Sequence, residues 1–437
     1  MPTQLYNMKY SAIDNNLFIE NRKRFTAQMK ENTMAIFVSN DEMPKSADQT
    51  FTFKQNPDLF YLSGVDQEET FLILFPDSPI ERYKEVLFVR KTNEYLAIWE
   101  GEKLNQEQAK SVSGIKTVLW SEEFPNILKM LMVQAKGVYL NLNEHDRANW
   151  QVPYHELRFA KELQEKYPLH EYHRAAPILH QQRAIKSKYE VALMQTACDI
   201  TEKGFRRVLQ YVKPGVYEYE IEAEITHEFL RNRATGHAYH PIIASGKDSC
   251  VLHYNKNNKV CTDGDLLLMD FGAEYANYAA DLTRTIPVSG KFTARQKEVY
   301  NAVLRVMKQA TQMLRPGTTI DEVNKEVGKI VEAELVNINL LKAEDVKNQD
   351  PERPLYKKYF MHGTSHFLGL DVHDVGNRYA AIQPGMVFTC EPGIYIREEN
   401  IGIRLENDIL VTYGNPIDLM KNIPIEADEI EALMNKK

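Results

Sequence analysis

Cysteine is scarce in this 437-residue chain, which carries only Cys198, Cys250, Cys261 and Cys390. They lie far apart with no CxxC spacing, so neither a thiolate zinc site nor a disulfide framework is indicated, and reduced, buried thiols are the default. No apolar run approaches the ~20 residues that span a bilayer. The opening MPTQLYNMKYSAIDNN has no basic segment followed by an apolar stretch, so the reading is of a cytoplasmic protein with no membrane partner. Positive charge is in deficit as well. At a net charge of -8 and a pI near 5.9, with Lys and Arg alternating with Asp and Glu, the chain has no basic footprint for nucleic acid.

What is present is ordinary globular material, 43% apolar and 26% charged, long enough for about two or three domains. Residues 1–178 read as an α/β region: a helical start around Asn21 to Lys30, then MAIFVS, TFLILF and EVLFVR as short apolar strands. A polar segment leads from there into an amphipathic helix from about Lys188 to Val212, so 179–437 is expected to form a second domain. That second part carries a faint internal repeat. VKPG (Val212–Gly215) and LRPG (Leu314–Gly317) each stop one amphipathic helix and precede another, and β-rich stretches follow both pairs. A Pro-Gly pair between helices is common punctuation, but the double occurrence predicts two α/β halves facing each other across a cleft.

Within the second half, DLLLMDFGAEYANYAADLTRTIPV reads as two strands joined by a tight turn, with Asp270 ending the first and Asp281 on the return. A lone Asp at such a place usually caps a strand or faces water. Asp270, however, ends the apolar run Leu266 to Met269, where a buried carboxylate needs a partner such as a metal. The MDFG string also invites a kinase reading, which fails because no Gly-rich loop or HRD-type loop accompanies it. MHGTSHFLGLDVHDVG then places His362, His366 and His373 close together, as metal binding with proton transfer would require. Glu391 stops the apolar strand PGMVFTC, and Glu406 lies in IGIRLENDILVTY, where Arg404, Glu406 and Asp408 share one face. Such a face is commonly the solvent side. Two Asp, one His and two Glu, all without sulfur, nevertheless suit a pair of divalent ions such as manganese, cobalt, zinc or iron.

In order, spacing and flanking residues, Asp270, Asp281, His366, Glu391 and Glu406 resemble the ligand set of the pita-bread metallopeptidases, which include methionine aminopeptidase, prolidase and aminopeptidase P. HGTSHFLGLDVHDVG looks most like aminopeptidase P, and SADQTFTFKQNPDLFYLSG and IWEG resemble that family's N-terminal domain. The resemblance implies an α/β (α+β) fold: a creatinase-like N-terminal domain over 1–178 and a pita-bread catalytic domain over 179–437. It implies two divalent ions, manganese foremost, with Asp281 and Glu406 bridging them, Asp270 completing one shell and His366 and Glu391 the other. Hydrolysis would proceed by attack of a metal-bridged hydroxide, with Glu391 as proton acceptor. By the same resemblance His253 and His373 stabilise the reacting peptide and His362 lines a proline pocket. Tyr395 and Arg404 contact substrate or support the ligands, and Trp99 borders the cleft of a neighbouring subunit in a homodimer or homotetramer. The implied reaction releases the residue in front of a proline at a peptide N-terminus. A prolidase acting on Xaa-Pro dipeptides, a non-enzymatic peptide- or histone-binding pita-bread protein and a metal-free, creatinase-like amidinohydrolase are the competing readings.

Overall fold

The computed structural model describes residues 9–148 and 151–436 and divides into two compact units, Met1–Arg183 and Ala184–Lys437. In the first unit six strands pair in the order Thr117–Trp120, Glu85–Val89, Phe71–Leu74, Thr33–Val38, Gly137–Leu140 and Glu171–Arg174. The pairings around Phe71–Leu74 are antiparallel and the other three are parallel. Thr33–Val38 is buried at every position, as a central strand covered on both faces must be, and its run of apolar residues reflects that. Ile36, Val38, Ile73, Val86 and Phe88 meet Phe124, Leu131 and Leu163 in one core, each such side chain contributing roughly 1.5–3 kcal/mol by burial.

The first helix spans Asn16–Thr26, starting and ending earlier than the pattern of the sequence suggests. Two polar residues on its inner face obscure the periodicity. Asn21 donates to the Tyr61 carbonyl, while Arg22 donates to those of Leu62 and Ser113, so both are buried. The units part at 183/184, at the end of the helix Ala176–Ala184, whereas the sequence reading places the boundary at 178/179. Arg183, paired with Asp58 at 2.8 Å, ties the end of that helix to the first unit.

Glu156 lies in the same buried cluster. Asn141 Nδ2 donates to Glu156 Oε1 at 2.7 Å and to Asp58 Oδ2 at 3.0 Å. Burial, reinforced by the charge of Asp58, pushes the Glu156 carboxyl up from 4.5 to about 8. The folded chain therefore keeps a proton that the unfolded chain releases, so stability falls as pH rises from about 4.5 towards 8. Glu156→Gln keeps the bond from Asn141, so it should leave stability unchanged near pH 4.5 and raise it by about 1–3 kcal/mol at pH 8. Urea midpoints at the two pH values check this, and a loss of stability at pH 8 would refute it.

The second unit repeats one plan. Helices Lys188–Tyr211 and Glu218–Arg231 precede the antiparallel strands Ile242–Ser245, Leu266–Phe271 and Leu282–Pro287. Helices Ala294–Met313 and Ile320–Asn337 precede Val387–Cys390, Gly393–Ile396, Ile401–Arg404 and Asn407–Leu410. Three of the four helices open with a Ser or Thr capping box, which satisfies the first free backbone amides. The repeats are joined through the buried Arg284. Its guanidinium donates to the carbonyls of Pro424, Thr283 and Glu406 and to the Asn407 side chain. Only four residues, Arg397 to Asn400, link the Gly393–Ile396 and Ile401–Arg404 strands, with Asn400 left-handed at φ 55°.

Candidate metal centre

Asp270 is the next-to-last residue of Leu266–Phe271, Asp281 directly precedes Leu282–Pro287, Glu391 directly follows Val387–Cys390, and Glu406 lies between Ile401–Arg404 and Asn407–Leu410. Asp270 is opposite Thr283 in the Leu266–Phe271/Leu282–Pro287 ladder, and Asp281 lies two residues before Thr283. With a period of two, both aspartates project from the same face. The crossing is tight at Gly272, where a Cβ would lie 1.7 Å from the Ala280 carbonyl oxygen. Glu391 follows Val387–Cys390, and its backbone donates to the Thr364 carbonyl while Thr389 donates to that of His366. These two bonds lay the HGTSH segment along the strand.

Glu406 departs from the sequence expectation of one continuous strand. The strand breaks at Leu405 and Glu406, where the chain exchanges the partner Gly393–Ile396 for Val387–Cys390, and Glu406 donates its backbone N–H to Thr283. The charged face is not solvated either: Arg404, Glu406 and Asp408 are 4%, 2% and 0% exposed.

One ligand atom from each of Asp281, His366 and Glu406 lies within 4.8 Å of the other two. His366 Nε2 stands 3.4 Å from Asp281 Oδ2 and 3.8 Å from Glu391 Oε1. Its Nδ1, facing the Phe367 carbonyl at 2.9 Å, has to carry a proton, which turns Nε2 towards the carboxylates. Asp270 is held by Arg404 at 2.5 Å. The Tyr239 hydroxyl lies 2.6 Å from both Asp270 Oδ1 and Asp281 Oδ1, and Thr283 Oγ1 donates to Glu406.

Electrostatics follow from this crowding. Burial and mutual repulsion push Glu406 well above the usual carboxylate range and raise Asp270 despite Arg404. Glu391 is pushed up to about 7, chiefly by burial. Burial lowers His366, but Asp281 and Glu391 outweigh it and carry the ring up to about 9. Four groups that would otherwise share protons thus converge on one place, with oxygen and imidazole donors suited to divalent cations.

A second group adjoins them. His362 Nδ1 meets the Gly363 carbonyl at 2.8 Å, so its Nε2 accepts from the Tyr395 hydroxyl at 2.8 Å, and Tyr395 accepts from Arg404 at 2.9 Å. Burial, with the Arg404 charge, pushes His362 down to about 3, so the ring is neutral at ordinary pH. His253 is exposed yet close enough to contribute to that depression. His373 is exposed with its ring 4.5 Å from that of His366. Trp99 lies in the first unit on the helix Glu94–Trp99, 71% exposed beside Tyr95. Tyr239 and Asn324 carry no mark in the sequence, and Asp408 is read there only as part of the charged face with Arg404 and Glu406. Asp408 accepts from the Asp281 backbone at 3.1 Å, and Asn324 Oδ1 accepts from Thr364 at 2.8 Å.

Comparison with known proteins agrees with this architecture. The model of metallopeptidase family M24 matches residues 192–413, and that of the aminopeptidase P N-terminal domain matches 18–139. Xaa-Pro aminopeptidases of Haemophilus influenzae and Escherichia coli are 37% and 36% identical, over 96% and 97% of this chain and 97% and 98% of theirs. The solved structure of zinc-substituted E. coli aminopeptidase P with product superposes with a TM-score of 0.86 at 34% identity, covering 98% of this chain and 100% of that one. A putative aminopeptidase P from Bacillus anthracis gives 0.89 at 33%, covering 97% and 98%. The chain belongs to metallopeptidase family M24, in its aminopeptidase P branch, and is a metal-dependent peptidase.

Proposed function

We propose that this enzyme releases the N-terminal residue from peptides whose second residue is proline, with two divalent ions, manganese foremost, held by Asp270, Asp281, His366, Glu391 and Glu406. The observation that carries this is the convergence of Asp281, His366 and Glu406 within 4.8 Å, in a chain more than a third identical to Xaa-Pro aminopeptidases. When bound, the ions would acidify a water and polarise the scissile carbonyl. The side chains do the rest. Asp281 and Glu406 would each serve both ions, and Glu391, 3.8 Å from His366 and 3.7 Å from His362, would take a proton from water. His253 and His373, both exposed, donate to the peptide oxygen as it gains charge. His362, kept neutral and oriented by Tyr395, forms one wall of the proline slot.

Arg404 bears on the prolidase alternative. A guanidinium is well shaped to bind the carboxylate of a dipeptide. Here it is buried and donates to Asp270, Tyr395 and Thr283, so its role is to hold Asp270 and Tyr395 in place. We therefore expect kcat/KM for an Xaa-Pro-Xaa tripeptide to exceed that for the matching dipeptide. A tenfold preference for the dipeptide, about 1.4 kcal/mol in the transition state, would assign the enzyme as a prolidase.

The exposed Tyr95, Ile98 and Trp99 support a homo-oligomer, dimer or tetramer, in which Trp99 borders the site of another subunit. Sedimentation at micromolar concentration should give at least a dimer, and a monomer would overturn this. The four buried cysteines, unpaired in the structure, suit a cytoplasmic setting. Among the described residues no helix is long and apolar enough to cross a membrane.

A further inference from the structure

His366 and His373 sit on one irregular loop, and what holds that loop is a charge pair. Lys186 Nζ meets Asp374 Oδ2 at 2.9 Å, with both side chains 1% exposed. Lys186 is itself fixed by its backbone, which donates to the Gly385 carbonyl next to the Ile185–Met386 bridge. Asp374 closes the loop by donating its backbone N–H to the Phe367 carbonyl at 2.9 Å. That same carbonyl meets His366 Nδ1 at 2.9 Å. The packing leaves no room for a side chain at Gly369, where a Cβ would lie 2.2 Å from Asp374 Oδ2 and 2.9 Å from Lys186 Cε. The rest of the loop is anchored by Leu368 to Val387 and by Ala279 to the Gly369 carbonyl.

We propose that Lys186 is a positioning residue for this enzyme: through its buried pair with Asp374 it fixes the loop from His366 to Asp374, and so the place of the His373 side chain. The inference rests on the aminopeptidase reading only for the step that His373 assists. A hydrophobic pair would stabilise the fold equally well, because desolvating two charges offsets most of their attraction. A directional pair, in contrast, sets one loop geometry, and a shift of about 1 Å in a group that contacts substrate costs turnover rather than folding.

The test compares the wild type with Lys186→Met, the double variant Lys186→Met/Asp374→Asn, and Gly369→Ala, each loaded with manganese. Lys186→Met alone removes the cation that faces a buried carboxylate at 2.9 Å, so its melting temperature should fall; the double variant should regain most of that loss. We expect the double variant and Gly369→Ala to keep wild-type metal content and to change KM for an Xaa-Pro tripeptide less than about threefold. Their kcat should fall at least tenfold. Carbethoxylation of His373 by diethyl pyrocarbonate, followed by peptide mass spectrometry, should proceed at a changed rate in both. A double variant with kcat within twofold of wild type, one whose activity loss tracks metal loss, or one that does not fold would overturn the proposal. Wild-type protein inert towards the tripeptide would overturn the aminopeptidase reading instead, while the His373 modification rate still reports on the loop.

Discussion

Replacing Asp281 with alanine is expected to abolish metal binding and lower kcat/KM by about four orders of magnitude, roughly 5–6 kcal/mol of barrier. The side chain stands 3.4 Å from His366 and shares Tyr239 with Asp270, and its charge is among those that push Glu406 and Glu391 up. On the proposed assignment, both ions would lose a carboxylate at once. The fold should survive. The Asp281 backbone still donates to Asp408, and removing one of several crowded carboxylates relieves repulsion in the metal-free state. Metal analysis, circular dichroism and peptide kinetics on the same sample decide the matter. Retained metal with a rate within tenfold of wild type would sink the assignment of the site.

Stripping the metal should cost stability, and the cost should grow with pH. Glu391 in the folded chain titrates near 7 against 4.5 for its ordinary value, and His366 near 9 against 6.5. In both cases the folded state keeps a proton that the unfolded state gives up, so each contribution is complete below the lower value and is lost as pH rises through the higher one. Metal-free protein should therefore weaken steadily from about pH 4.5 to pH 9. Metal binding runs the other way, since it needs His366 neutral at Nε2 and the carboxylates ionised. The gap in melting temperature between metal-loaded and chelator-treated protein should widen from pH 5 to pH 8, reaching about 10 °C or more with both ions well above their dissociation constants. A gap that is constant or narrows over that interval contradicts the account.

Much of this architecture is readable because two of the acidic candidates stand where an apolar stretch ends. Asp270 after Leu266 to Met269 and Glu391 after Val387 to Cys390 carry their own signal, and the paired Pro-Gly stops announce the repeated helix pairs. What escaped is set by tertiary pairing. The alternation of Glu406 with Ile403 and Leu405 reads as one continuous strand, whereas the chain changes its hydrogen-bond partner at Leu405 and Glu406. For Arg404 the sequence leaves two roles open, contact with substrate or support of the ligands, and only its burial against Asp270 and Tyr395 favours the second. Tyr239 and Asn324 act from about 40 residues away in sequence, and a single Tyr or Asn has no local mark that it supports a metal site. Lys186 and Asp374, 188 residues apart, are of the same kind.

The most direct test is mass spectrometry of the products formed from a peptide with proline at its second position, using manganese-loaded and chelator-stripped enzyme side by side. The loaded enzyme alone should release the single N-terminal residue and the peptide beginning with proline, with activity rising to a plateau at two ions per chain. Equal cleavage by the stripped enzyme, or cleavage at any other bond, would contradict the proposed function.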